Sequence, residues 1–123
     1  MATVELTRAS FAETVESNEV VLVDFWAGWC GPCRMFAPLF EAASEEHGDV
    51  VFGKVDTEAE AELAAAFGIM SIPTLMAFRD QVVLYARPGA LPPAALEELI
   101  GQVKALDMDE VRRRIDGETH APV

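Results

Sequence analysis

Basic side chains and cysteines are both scarce in this chain. Nine lysines and arginines face 21 aspartates and glutamates across 123 residues, a formal charge of -12. A surface this acidic repels phosphate backbones and anionic lipid headgroups, so neither nucleic acid nor a membrane surface is expected as a partner. No apolar run approaches the roughly 18 residues of a membrane span. The opening MATVELTRASF lacks the basic and apolar stretches and the cleavage site of an export signal. A soluble, cytoplasmic protein is therefore expected. There are only two cysteines and two histidines. A domain of this length can bury a core without disulfides or metals, which leaves the cysteines free for chemistry. In a reducing compartment, a lone cysteine pair is more often catalytic or metal-binding than structural.

No internal repeat or low-complexity linker interrupts the chain. Apolar strands alternate with helical stretches, the pattern of a layered α/β domain. Thr3 to Thr7 reads as a short strand, and Ser10 with Glu13 has the form of a capping box opening a helix to Ser17. Val20 to Trp26, VVLVDFW, is nearly all apolar, as a central strand covered on both faces requires. A helix is expected from the cysteine motif to His47, kinked at Pro38 and stopped by Gly48. Val50 to Asp56 reads as the next strand and Glu58 to Phe67 as an alanine-rich helix stopped by Gly68. Thr74 to Arg79 and Val82 to Arg87 form a hairpin about Asp80 and Gln81, and Leu91 to Leu106 holds a helix opened by Pro92 and Pro93. Beyond Leu106, Asp107 with Glu110 repeats the capping pattern. Met108, Val111 and Ile115 then recur on one face of a short helix, expected to dock on the domain, and the chain frays after Gly117. The expected organisation is a domain over 1–106 and an extension over 107–123.

Both cysteines lie in WCGPCR, Trp29 to Arg34. Cys30 follows a central strand and opens a helix, where unpaired N–H groups and the positive dipole end favour a thiolate, the attacking species in disulfide exchange. Cys33 is one turn further in, close enough to close a disulfide. Gly31 permits a tight turn, and Pro32 stiffens it while giving up a donor that a helix start does not use. Zinc is the competing use of such a pair. Structural zinc takes four ligands, however, and the only histidines, His47 and His120, stand in no ligand spacing, so no metal is expected. Asp24 lies in the middle of an apolar strand, where an unpaired carboxylate costs several kcal/mol. Burial raises its pKa towards the range useful for proton transfer, unless the strand is an edge and the carboxylate is wet. Lys54, mid-strand in KVD, is either its charge partner or an outward-facing lysine. The Ile72-Pro73 bond at the mouth of a strand is a candidate cis-proline.

With VDFWAGWCGPCRMFAP, KVD, FGIMSIPTL and PGAL in this order, residues Thr3 to Leu106 closely resemble the thioredoxin family. The resemblance implies a thioredoxin fold: a five-stranded mixed sheet flanked by four helices, its hairpin strands antiparallel to the rest, here with a short extra C-terminal helix. It implies a thiol-disulfide oxidoreductase, working as a monomer with no bound cofactor. A redox-active Cys30-Cys33 disulfide would be re-reduced by thioredoxin reductase using NADPH and would reduce disulfide-containing client proteins. Cys30 becomes the exposed attacking thiolate, Cys33 the buried resolving thiol, Asp24 the proton-transfer acid and Lys54 its tuner. Trp29, Gly31, Pro32, Ile72, Pro73, Gly89 and Ala90 become the apolar client surface, with Phe25 and Trp26 as core beneath it. Arg34 stands where lysine is commoner, and Met70 and Ser71 replace a usual basic and a usual small residue, expected to shift client preference. Gln81 replaces a usual turn glycine. A redox-independent binding module of the same fold is the rival from another class.

Overall fold

The computed structural model of the chain describes residues 2–120, with side chains through 117. Five strands, β1 (Thr3–Glu5), β2 (Val20–Trp26), β3 (Val51–Asp56), β4 (Thr74–Arg79) and β5 (Val82–Pro88), form one sheet in the order β1-β3-β2-β4-β5. β1, β3 and β2 are parallel, and β4 runs antiparallel to β2. β5 is antiparallel to β4 and so returns in the direction of β2. Only one hairpin strand therefore opposes the rest, because a tight two-residue turn reverses the chain once more.

β2 is the central strand, which is why its sequence is apolar throughout. Its alternate residues feed two cores. Val20 and Leu22 face Phe36 and Phe40 of α2 (Gly31–Glu46) and Leu96 and Ile100 of α4 (Pro93–Ala105). Val21, Val23 and Phe25 face Phe11 and Val15 of α1 (Phe11–Ser17) and Leu63 of α3 (Ala61–Ala66). In β3, Gly53 is buried under Leu6: a Cβ placed there would overlap the Leu6 side chain, which explains a glycine in the interior of a strand.

The local chemistry departs from expectation in several places. Ser10 does not cap α1 through its side chain, because its hydroxyl accepts the Thr7 N–H at 3.0 Å instead. α2 contains Pro38 and ends at Glu46 with His47 as its cap, and Gly48 does not have positive φ. α3 begins three residues later than expected, since the Asp56 carboxylate holds the Glu58 N–H at 2.9 Å and the Ala59 N–H at 3.4 Å in a turn. Gly68, at φ +64°, is the left-handed stop after α3. Asp80 and Gln81 both have positive φ, 49° and 70°, as a type I′ hairpin requires.

α5 (Met108–His120) is as long as α4, not short, and continues past Gly117. The remainder of the expected frayed tail, 121–123, lies outside the described residues. Asp107 does form its cap, accepting the N–H groups of Asp109 and Glu110. The apolar stripe docks only at its start: Met108 is buried, Val111 is half-buried and Ile115 is exposed. Arg79 fixes the junction, since one guanidinium nitrogen donates to the carbonyls of Val103, Lys104 and Leu106 at the end of α4.

Candidate active site

β2 ends at Trp26, and the chain crosses a short loop into α2, with Cys30 as the N-cap residue and Pro32 in the first turn. The Cys33 N–H points at Cys30 Sγ at 3.3 Å, a backbone donor positioned to stabilise negative charge on that sulfur. The two cysteines form a disulfide with Cα atoms 5.3 Å apart. Cys30 is 4% exposed and Cys33 2%. The expected exposed nucleophile is thus nearly covered in the oxidised form, because the loop carrying Ile72 packs across it. The Ile72 carbonyl oxygen lies 3.7 Å from Cys30 Sγ.

The Ile72-Pro73 peptide is cis, and the Pro73 carbonyl accepts the Gly89 N–H at 2.7 Å. Gly89 sits at φ +107°, a conformation that suits glycine alone, and so closes the loop after β5 against the loop before β4. The residues expected to form an apolar surface fall around the disulfide. Trp29, Pro32, Gly89 and Ala90 are exposed, Gly31 and Ile72 are half-buried, and Pro73 is buried. Arg34 donates to the Gly28 carbonyl at 3.0 Å and so braces the loop before the cysteines.

Asp24 and Lys54 are register partners on β2 and β3, which places their side chains on the same face of the sheet, the one covered by α2. The strand is central, so Asp24 is fully buried rather than wet. Neither carboxylate oxygen has a hydrogen-bond partner among the described residues. Burial pushes its pKa up to about 7, and the Lys54 charge offsets part of that rise. Lys54 is not simply outward-facing, since its ammonium stands 4.9 Å from the centroid of the Trp26 ring. Phe25 is wholly buried, in the core formed with α1 and α3, and Trp26 is half-buried.

One contact was not legible from the sequence. The Trp29 indole N–H donates to Glu58 at 3.1 Å, a partner 29 residues away. The Asp56 turn presents Glu58, and no local pattern links a carboxylate after β3 to an indole after β2.

The thioredoxin family model matches residues 2–102. The putative thioredoxin 2 of Streptomyces coelicolor is 62% identical over 93% of this chain and 85% of its own length, a span that reaches into α5. Bacillus subtilis thioredoxin is 46% identical over 83% of this chain and 98% of its own. Among solved structures, a mutant thioredoxin from Halobacterium salinarum has a TM-score of 0.78 at 32% identity, covering 85% of this chain and 92% of its own. With a Cys-Gly-Pro-Cys disulfide at the mouth of α2 on this five-stranded sheet, the chain belongs to the thioredoxin family and is a thiol-disulfide oxidoreductase whose redox-active group is the Cys30-Cys33 pair.

Proposed function

We propose that this protein is a general disulfide reductase of the cytoplasm, drawing electrons from NADPH through thioredoxin reductase and passing them to disulfide-bonded client proteins. The observation that carries the reading is the Cys30-Cys33 disulfide at the start of α2, with the Cys33 N–H directed at Cys30 Sγ. In the dithiol form, the Cys30 thiolate attacks one sulfur of a client disulfide, and the other client sulfur leaves as a thiolate. Cys33 then loses its proton and attacks Cys30 in the mixed disulfide. The second client thiolate leaves, so two electrons have moved to the client and a disulfide to this chain.

Asp24, in its carboxylate form, is the base that takes up the proton Cys33 gives up. A carboxyl whose pKa is about 7 takes up and releases a proton near neutral pH, and Lys54 tunes it by charge. Trp29, Gly31, Pro32, Ile72, Pro73, Gly89 and Ala90 receive the client, with backbone near Ile72 pairing to an extended segment. The redox domain ends at Leu106, and residues 107–123 are an extension on it. The test is insulin reduction with dithiothreitol, then with thioredoxin reductase and NADPH. Faster precipitation and cysteine-dependent NADPH oxidation are expected. Wild-type protein that accelerates neither would overturn the proposal and favour a binding module.

A further inference from the structure

The three most exposed large apolar side chains among the described residues are Met70 at 94%, Met35 at 75% and Trp29 at 68%. Trp29 adjoins Cys30, and Met35 lies two residues beyond Cys33. Met70 lies two residues before Ile72, whose carbonyl approaches Cys30 Sγ. Apolar exposure is concentrated at the segments that bracket the disulfide, and such concentrations mark contact surfaces. Met70 also borders a groove of about 210 Å³ between the end of α3 and the strands β4 and β5. Phe67, Ile69, Met76, Ala86 and Pro88 supply its apolar walls, Ser71 and Thr74 add two hydroxyls, and no charged residue lines it.

Cys30 is 4% exposed and its Sγ lies 3.7 Å from the Ile72 carbonyl, so a client chain that engages it runs beside the Ile72 loop. An extended segment advances about 3.3 Å per residue and repeats its side-chain direction every second residue. Met70 is two positions from Ile72, so a client residue about two positions from the attacked cysteine is the one within its reach. We propose that Met70 is a specificity-determining residue: with the groove behind it, it receives one branched aliphatic or aromatic side chain of the client, two residues from the attacked cysteine. The lining is mostly apolar, so a polar side chain there gives up its water for at most the Ser71 and Thr74 hydroxyls. An unbranched thioether adapts to apolar side chains of different shape, which suits a protein with many clients.

This inference rests on the reductase reading above, and the experiment separates the two. Reduced protein is mixed with symmetrical peptide disulfides that differ only in Leu or Asn at both positions two residues from cysteine. The uncharged, near-isosteric pair removes the influence of the chain's net charge. Released peptide thiol gives the rate constants. Wild type and Met70→Leu are expected to prefer the Leu peptide by about tenfold, the order a hydrophobic pocket supplies. Met70→Gln should lose most of that preference. Ala86→Phe fills the groove from an exposed strand position that tolerates an aromatic, and should lose it too. Equal rates for the two peptides with wild type, or an undiminished preference in both Met70→Gln and Ala86→Phe, would overturn the assignment. Failure to reduce either peptide would overturn the reductase reading and this inference with it.

Discussion

Replacing Asp24 with asparagine separates the cost of a buried charge from the cost of a buried polar group. The native protein binds the Asp24 proton more tightly than the unfolded chain does, with a pKa of about 7 against an ordinary value of 3.8. The sign follows from linkage. This group penalises the fold least below pH 3.8, increasingly as pH rises towards 7, and by a constant amount above that. At about 1.4 kcal/mol per pKa unit, the full penalty is about 4 kcal/mol. The asparagine amide is also buried without partners and carries its own cost of roughly 1–3 kcal/mol, but that cost does not depend on pH. Urea unfolding of both oxidised proteins at pH 5 and pH 8 isolates the titration. The advantage of Asp24→Asn over wild type should grow by about 2.5 kcal/mol between the two. Disulfide exchange at pH 7 should slow in the same variant. A stability difference independent of pH would refute the argument that Asp24 ionises in a dry site. An unchanged exchange rate would remove it from the mechanism.

Gly53→Ala places a methyl group against the Leu6 side chain and should cost roughly 1–3 kcal/mol in thermal or urea unfolding; an unchanged midpoint would mean that Leu6 repacks freely. Gln81→Gly removes a side chain from a positive-φ turn position and should stabilise by about 1 kcal/mol in the same assay. Truncation before Asp107 exposes the Met108 site and should cost about 1.5–3 kcal/mol, before the entropy regained by the tail is counted, while insulin reduction stays intact. A large loss of turnover with thioredoxin reductase at little cost in stability would instead make α5 a recognition element.

The parts of this structure that were legible in the sequence are those where one physical demand dominates. β2 is legible residue for residue because a central strand must be apolar on both faces, and Asp24 stands out against that demand. The hairpin was legible from two strand-like runs separated by two residues. What was missed turns on competition or on distance. Ser10 had the residue type of a cap, but its hydroxyl went to Thr7. Asp56 captured the backbone that the alanine-rich pattern assigned to α3. The direction of β5 follows from geometry that strand propensity does not encode. The pair of thiols, the acid and the proline loop are legible in the sequence. The burial of Cys30 and the Trp29-Glu58 bond depend on segments that meet only in the fold.

The order of the two thiols is the central claim, and trapping tests it most directly. Cys33→Ser leaves a nucleophile that cannot be resolved, so disulfide-bonded proteins incubated with it should accumulate as mixed disulfides through Cys30, visible on a non-reducing gel and located by mass spectrometry. Cys30→Ser should trap little or nothing, because the Cys33 N–H at the start of α2 is directed at Cys30 Sγ and so favours a thiolate there. Equal trapping by the two variants, or crosslinks that map to Cys33, would contradict the assignment of Cys30 as the attacking sulfur.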